Sequence, residues 1–75
     1  MDIKTVIDAK GLACPMPIVR TRKAMAGLES GEILEVLTTD KGSKADLTAW
    51  TASQNHEIVE ASEENGIMSL IIKKG

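Results

Sequence analysis

The chain has 75 residues, about half the length of a typical domain, so we expect one domain over residues 1–75. Apolar residues make up 43% and charged residues 27% of the sequence, a balance typical of a globular domain rather than a disordered chain. The net charge of −2 and the single aromatic residue, Trp50, argue against direct nucleic-acid binding, which uses basic surfaces and several stacked aromatic side chains.

The sequence contains no segment typical of membrane insertion or export. Its apolar runs are only a few residues long, as at 33–34 and 70–72, whereas a membrane span needs about 20. The first residues lack the apolar core of a secretion signal. We therefore expect a cytoplasmic protein that does not insert into a membrane.

The first half of the chain is typical of a strand, a helix and a second strand. Residues 5–7 form a short apolar run, and a helical stretch after the next loop runs to Leu28, with Gly31 as a stop signal. Ile33–Thr38 has β-forming residues on both faces, which predicts a central strand. The residues that share one apolar stripe of the helix are Pro17, Ile18, Thr21, Ala24, Met25 and Leu28.

A second helix is predicted from Ser43 to about Asn55. Ser43 is followed three residues later by Asp46, and this spacing fits a capping box with Ser43 as the N-cap residue. Two stripes compete for the buried face of this helix: Leu47 with Trp50 and Thr51, or the alanines at 45, 49 and 52. We expect the first stripe to be buried because it removes more apolar area from water.

Residues 57–62 and Ile67–Lys73 predict two strands joined by an Asn-Gly hairpin turn at 65–66. The resulting order, β-α-β-α-β-β, predicts an α/β (α+β) two-layer sandwich in which two helices cover one face of a four-stranded mixed sheet. The first two strands should be parallel and the last two antiparallel. The uncovered face would carry Ile33, Leu37 and Ile71, either as scattered exposed residues or as a docking face.

Positive and negative charges are separated along the chain. All charged residues between positions 9 and 28 are basic: Lys10, Arg20, Arg22 and Lys23. All charged residues between positions 57 and 66 are acidic: Glu57, Glu60, Glu63 and Glu64. These clusters are either two ordinary solvated faces or, for the basic one, a surface that steers an acidic partner.

Cys14 is the only cysteine, which excludes an intramolecular disulfide and a cysteine-only metal site. A zinc site would also need His56, the only histidine, and two carboxylates, and the sequence has no such spacing. We therefore expect neither a metal nor a cofactor. Pro15 and Pro17 fall in the first helical turn, where proline is tolerated, and with Gly11 they should position Cys14.

Cys14 is predicted to be the N-cap of the first helix. Its sulfur would then approach the Met16 N–H and the positive end of the helix, and Lys10 would add to an effect that lowers the thiol pKa. The alternative is a small buried side chain near a capping turn. A thiol protease would need a histidine base, whereas His56 is expected to cap a helix end, and a dithiol oxidoreductase would need a second cysteine. A lone activated thiol suits a sulfur relay between proteins.

The segment GLACPMP at 11–17 resembles the Cys-Pro-x-Pro signature of the TusA/SirA-like sulfur-carrier family, and the similarity covers nearly the whole chain. Further matching positions are Asp8, Gly31, Glu32, Asp40, Ser43, Asp46, Leu47, Trp50 and His56. Asn55 stands where the family commonly has glycine, although asparagine can also adopt the left-handed conformation that a helix end requires.

The resemblance implies a strand order of 1-2-4-3 and a persulfide formed on Cys14. It implies a carrier with sulfurtransferase-type chemistry rather than a stand-alone enzyme. Its partners would be a sulfur donor, either a cysteine desulfurase or a rhodanese-like protein, and an acceptor in tRNA thiolation, cofactor biosynthesis or thiosulfate and sulfur metabolism; a membrane transporter is also possible. The other class that stays open is a non-catalytic regulatory or redox-sensing interaction module with a reactive cysteine.

Partner docking is expected next to the thiol. On the helical wheel Met16 and Val19 lie outside the buried stripe, beside Arg20 and Lys23. An apolar centre with a rim that contains arginine is typical of a transient protein interface.

Overall fold

A computed structural model describes residues 2–75 of the chain. Its elements in chain order are β1 (Ile3–Ala9), α1 (Met16–Ala26), β2 (Ile33–Thr38), α2 (Lys41–Ser53), β3 (Glu57–Glu64) and β4 (Ile67–Lys73). The strands form one sheet in the order β1-β2-β4-β3, in which β1 and β2 are parallel and the other neighbours are antiparallel. The predicted β-α-β-α-β-β sandwich and its strand order are confirmed.

The core lies between the two helices and one face of the sheet. In β2 and β4, buried and half-buried residues alternate, so every second side chain faces the helices. The buried cluster comprises Met25, Leu28, Leu34, Val36, Leu47, Leu70 and Ile72. Burying one such side chain stabilises the fold by about 1.5–3 kcal/mol, so this cluster is the main source of stability in a chain of this size.

The other face of the sheet carries apolar side chains between polar ones. Ile33, Leu37 and Ile71 are half-buried there. Glu35 lies between Val6 and Ile71 across the ladder, and its carboxylate accepts a hydrogen bond of 2.5 Å from the Ser69 hydroxyl. This polar pair interrupts the apolar surface.

The buried stripe predicted for α1 is confirmed, because Pro17, Thr21, Met25 and Leu28 are buried while Ile18 and Ala24 are half-buried. The helix itself ends at Ala26, two residues before the predicted end. The Lys74 ammonium donates hydrogen bonds to the carbonyl oxygens of Met25 and Leu28. The last residues of the chain therefore cap the end of α1.

The predicted capping box of α2 is wrong. Asp40 is the N-cap, and its Oδ2 accepts hydrogen bonds from the Ser43 N–H at 3.1 Å and from the Ser43 hydroxyl at 2.8 Å. Ser43 is thus a buried residue of the first helical turn rather than its cap. The buried face is the expected one, since Leu47 and Thr51 are buried and Trp50 packs against the core.

Left-handed residues end α2 and form the hairpin. Asn55 has φ 61°, and the His56 N–H then donates to the Thr51 carbonyl at 3.0 Å. The His56 Nδ1 accepts a hydrogen bond of 3.0 Å from the Gly75 N–H, so its side chain bonds the segment after β4 rather than capping α2 as expected. The predicted turn between β3 and β4 is confirmed, with φ 54° at Asn65. β3 extends two residues beyond its predicted end and lies at one edge of the sheet.

Candidate functional site

The loop that carries Cys14 lies where β1 and β2 end. Because these strands are parallel, the segments that follow them meet at the same edge of the sheet. The Gly11 N–H donates to the Thr39 hydroxyl at 2.9 Å, and the Cys14 N–H donates to Asp40 Oδ2 at 3.2 Å. Gly11 has φ +78°, a conformation that favours glycine. Two hydrogen bonds therefore hold the loop against the start of α2.

Cys14 lies just outside α1 and is not its N-cap. Pro15 occupies the N-cap position and Met16 is the first helical residue. The Cys14–Pro15 peptide bond is cis. The Met16 N–H, which was expected to approach the sulfur, donates to the Ala13 carbonyl at 2.9 Å instead. The thiol is thus one residue further from the positive end of α1 than the sequence suggested.

The thiol of Cys14 is exposed and hydrogen-bonded to a carboxylate of the second helix. Its Sγ donates to Asp46 Oδ2 at 2.9 Å. This hydrogen bond, partial desolvation and the negative charges of Asp46 and Asp40 raise the pKa of the Cys14 thiol above its ordinary value. The predicted lowering of the pKa is therefore wrong. The carboxylates of Asp46 and Asp40 affect the thiol pKa more than the N-terminal end of α1 does. The Lys10 ammonium lies 4.0 Å from Asp8 Oδ2 and forms an ion pair with it.

Three residues of this site were not recognised as such from the sequence: Thr39, Asp40 and Asp46. The sequence pattern places Asp46 in a capping box, and Asp40 stands only among the positions that match the family. The predicted strand order does contain a signal for these residues, because segments that follow adjacent parallel strands meet at the same end of the sheet. Asp46 comes one and a half turns after the N-cap of α2, and from there its side chain reaches the loop after β1.

The two prolines of the motif have different surroundings. Pro15 is exposed, whereas the Pro17 side chain is fully buried in the first turn of α1. Pro17 therefore contributes to the core in addition to the positioning role expected from the sequence.

We expect Pro17→Ala to fold cooperatively but to lose about 2 kcal/mol of stability, from about two buried methylene groups and a more flexible unfolded chain. Thermal denaturation followed by circular dichroism measures this loss. Sulfur uptake by Cys14 should also slow, because the turn that orients the thiol is less rigid, while alkylation by iodoacetamide should show that the thiol is still accessible. A non-cooperative melt would mean that Pro17 is needed for folding itself.

The four predicted docking residues line one groove between α1 and β1. Met16 and Val19 are each 42% exposed, and Arg20 and Lys23 lie on the same side of the helix. The groove has a volume of about 590 Å³. Its opposite wall is formed by Val6, Ile7 and Asp8 of β1. The groove begins at Met16, two residues after Cys14 in the sequence, and its charged lining residues are Asp8, Arg20 and Lys23.

In the described part of the chain, neither a histidine base nor a metal-binding cluster lies beside Cys14. His56 follows the C-terminal end of α2 while Cys14 lies beside its start, and a helix of 13 residues is about 20 Å long. Among residues 2–75, no group of three or more histidine, cysteine, aspartate or glutamate side chains is placed to hold a metal ion. None of the helices in that range is long and apolar enough to cross a membrane.

The fold and the site define a small two-layer α/β protein with one exposed cysteine followed by two prolines at the start of its first helix. The family model described as "Sulfurtransferase TusA" matches residues 5–74, and the chain belongs to this TusA family. It is 63% identical over 70 residues to "Putative sulfur carrier protein YrkI" of Bacillus subtilis, with 93% of each chain covered. It is 40% identical over 73 residues to "Sulfur carrier protein TusA" of Allochromatium vinosum, with 97% of this chain and 96% of the relative covered.

A solved structure shares the fold. The crystal structure of a SirA-like protein from Desulfitobacterium hafniense superposes with a TM-score of 0.85 at 32% sequence identity. The match covers 95% of this chain and 97% of the other. The resemblance read from the motif at 11–17 is therefore confirmed at the level of family and fold.

Proposed function

We propose that this protein is a sulfur carrier that accepts sulfane sulfur on Cys14 as a persulfide and passes it to a partner protein. The observation that carries this proposal is the single exposed thiol, held at the sheet edge by backbone hydrogen bonds and without a second cysteine in the sequence. Membership of the TusA family supports a sulfur-carrier role.

The transfer itself is a thiol–persulfide exchange. Cys14 Sγ attacks the terminal sulfur of a donor persulfide R–S–SH and a new S–S bond forms on Cys14. The donor S–S bond breaks, and its electron pair leaves with the inner sulfur, which takes up the thiol proton and departs as R–SH. No net oxidation takes place. With no resolving thiol in the chain, the sulfur stays on Cys14 until an acceptor thiolate attacks it in the same way. This is sulfurtransferase-type chemistry that requires two partners rather than a stand-alone enzyme.

The partners of this proposal are a sulfur-donor protein, either a cysteine desulfurase or a rhodanese-like protein, and a sulfur-acceptor protein. Both must bring a reacting sulfur to Cys14, so the surface around the thiol has to be the contact surface. The groove lined by Met16, Val19, Arg20 and Lys23 begins two residues after Cys14 and combines apolar with basic side chains. We therefore propose that partners dock in this groove. A cytoplasmic location and a single domain stay predictions.

The redox-sensor alternative is less well supported. Sensor cysteines are usually exposed thiols with a low pKa, because the thiolate is the species that reacts with oxidants. The pKa of Cys14 is raised, chiefly by its hydrogen bond to Asp46, which makes the thiol less reactive toward a diffusing oxidant. A thiol that reacts only with a docked partner protein is more consistent with this hydrogen bond to Asp46.

Intact-mass spectrometry tests the proposed function. After incubation with a cysteine desulfurase and cysteine, or with a rhodanese and thiosulfate, the chain should gain one sulfur atom that dithiothreitol removes. Cys14→Ser should gain none, because the nucleophile is absent. If no donor adds a reductant-labile sulfur to the wild-type chain, the carrier assignment is wrong.

A further inference from the structure

The carboxylate of Asp46 is the one polar group that contacts the sulfur of Cys14 in residues 2–75. It reaches the thiol from α2, across the edge of the sheet from the cysteine loop. The Oδ2 atom lies 2.9 Å from Sγ, which is a short distance for a thiol donor. Asp46 itself is exposed, so the contact is not forced by packing of the core.

A second carboxylate fixes the geometry of this contact. Asp40 Oδ2 accepts the Cys14 N–H at 3.2 Å and also both Ser43 donors of the α2 cap. The backbone of Cys14 is thereby tied to the first turn of the helix that carries Asp46. The hydrogen bond from the Cys14 N–H to Asp40 therefore holds the cysteine loop beside the helix that carries Asp46.

We propose that Asp46 is the proton acceptor for Cys14 during sulfur uptake. The inference rests on the proposed function, because it assigns a role in the same exchange reaction. A neutral thiol is a poor nucleophile, and a base in contact with it can remove the proton as the new bond forms. The contact between Sγ and Asp46 Oδ2 meets the distance requirement for such a base.

The step balances without any further reactant. The Sγ lone pair forms a bond to the terminal sulfur of the donor persulfide while the thiol proton moves to Asp46 Oδ2. The donor S–S bond breaks and its electron pair stays on the donor sulfur. That thiolate then takes the proton from Asp46, and the carboxylate is regenerated. A docked donor therefore receives its proton from the same group that activated Cys14.

The hydrogen bond between Cys14 and Asp46 also lowers the reactivity of the thiol when no donor is bound. Without a docked persulfide, the carboxylate holds the thiol in its protonated form, and its negative charge disfavours the thiolate. The protein would thus react slowly with small oxidants and alkylating agents, yet readily with a substrate whose departing sulfur can accept the proton.

The pH dependence of sulfur uptake tests this role with Asp46→Asn, a substitution of nearly equal shape. Glutathione persulfide is used as the donor so that protein docking has no influence, and uptake is followed by mass spectrometry after alkylation. Ionisation of the donor affects both proteins alike, so the ratio of the Asp46→Asn rate to the wild-type rate is compared at each pH. Only the thiolate fraction reacts in Asp46→Asn, whereas the wild type also uses its neutral thiol, so this ratio should rise about tenfold per pH unit until the thiol pKa of the variant is reached.

Two further measurements separate this role from a merely structural one. Ultraviolet absorbance of the thiolate should show that Cys14 titrates at a lower pH in Asp46→Asn than in the wild type. Glu57→Gln removes one exposed carboxylate at the opposite end of the sheet, where β3 pairs with Lys73 and Lys73 pairs with the start of β2. It should match the wild type in both assays. Asp46→Glu should bring the pH dependence part of the way back to that of the wild type.

The possible failures are distinguishable. If wild type and variant both take up one sulfur with the same dependence on pH, Asp46 is not the proton acceptor although the carrier function stands. If neither gains sulfur from glutathione persulfide or from a protein donor, the proposed function itself fails. Identical thiol titrations in the two proteins would show that the hydrogen bond does not form in solution, which also overturns the inference.

Discussion

Replacing Asp40 by alanine is expected to lower the Tm by about 5–10 °C. The substitution removes the N-cap of α2 and leaves the Cys14 N–H without its acceptor. Loss of one helix cap commonly costs about 1 kcal/mol, and in a domain of this size each 1 kcal/mol shifts the Tm by about 4–8 °C. Thermal denaturation by circular dichroism measures the change.

Asp40→Asn is the matched control, because asparagine caps helices as well as aspartate and still accepts from the Cys14 N–H. It should melt close to the wild type. If Asp40→Ala also melts like the wild type, the clamp between the cysteine loop and α2 does not stabilise the fold.

The effect of Asp40→Ala also has a defined pH dependence. Hydrogen bonds from the Ser43 side chain and from the Ser43 and Cys14 backbones hold the Asp40 pKa below its ordinary value, against an opposing effect of desolvation. A lowered pKa in the folded state adds stability above the unfolded pKa of about 3.9, and this stability is lost as the pH falls through the folded value. The difference in Tm between wild type and Asp40→Ala should therefore be full at pH 7 and shrink below about pH 4.

Reversing the two basic charges of the groove, with Arg20→Glu and Lys23→Glu together, is expected to slow sulfur uptake from a protein donor at least about tenfold at low salt. Among residues 2–75 the ion pairs within 4.0 Å are Lys4–Glu32 and Lys10–Asp8, so neither changed side chain has an intramolecular ion pair to lose there. Initial rates of persulfide formation on Cys14 measure the effect.

The dependence of the sulfur-uptake rate on salt tests whether the defect of the double variant is electrostatic. Screening shortens the range of charge interactions from about 10 Å at 0.1 M salt to about 3 Å at 1 M, so the defect should become smaller as salt is added. Alkylation of Cys14 by iodoacetamide should stay nearly unchanged. Arg22→Glu with Lys73→Glu is a control of equal charge change, because Arg22 lies beside Trp50 and His56 and Lys73 pairs with the start of β2, both away from the groove. If the groove variant accepts sulfur at the wild-type rate in low salt, the uncovered sheet face with Ile33, Leu37 and Ile71 becomes the next candidate.

The elements of the fold were predictable because local signals decide them in this chain. Alternating burial in β2 and β4, the apolar stripe of α1 and the Asn-Gly turn each depend on residues close in sequence, and all were confirmed. The start of α2 was misjudged because both Asp40 and Ser43 are good caps. The choice between them depends on the Cys14 N–H, which also needs the Asp40 carboxylate.

The chemistry of the site was only half predictable for the same reason. The motif identified Cys14, Pro15 and Pro17, which are neighbours in sequence. The environment of the sulfur comes from Asp46, 32 residues further along the chain, and is created by the parallel pairing of β1 and β2. The helix terminus and Lys10, which lie close to Cys14 in sequence, predict a lowered thiol pKa, whereas the carboxylates of Asp46 and Asp40 raise it.

The acidic strand β3 also determines how this protein behaves in a crowded solution. β3 has an open side, and the backbone groups there could pair with a strand of a second molecule. Its residues at 57, 60, 63 and 64 are all glutamates and all exposed. Two molecules that approached edge to edge through β3 would bring eight negative charges together, which resists the growth of intermolecular sheets.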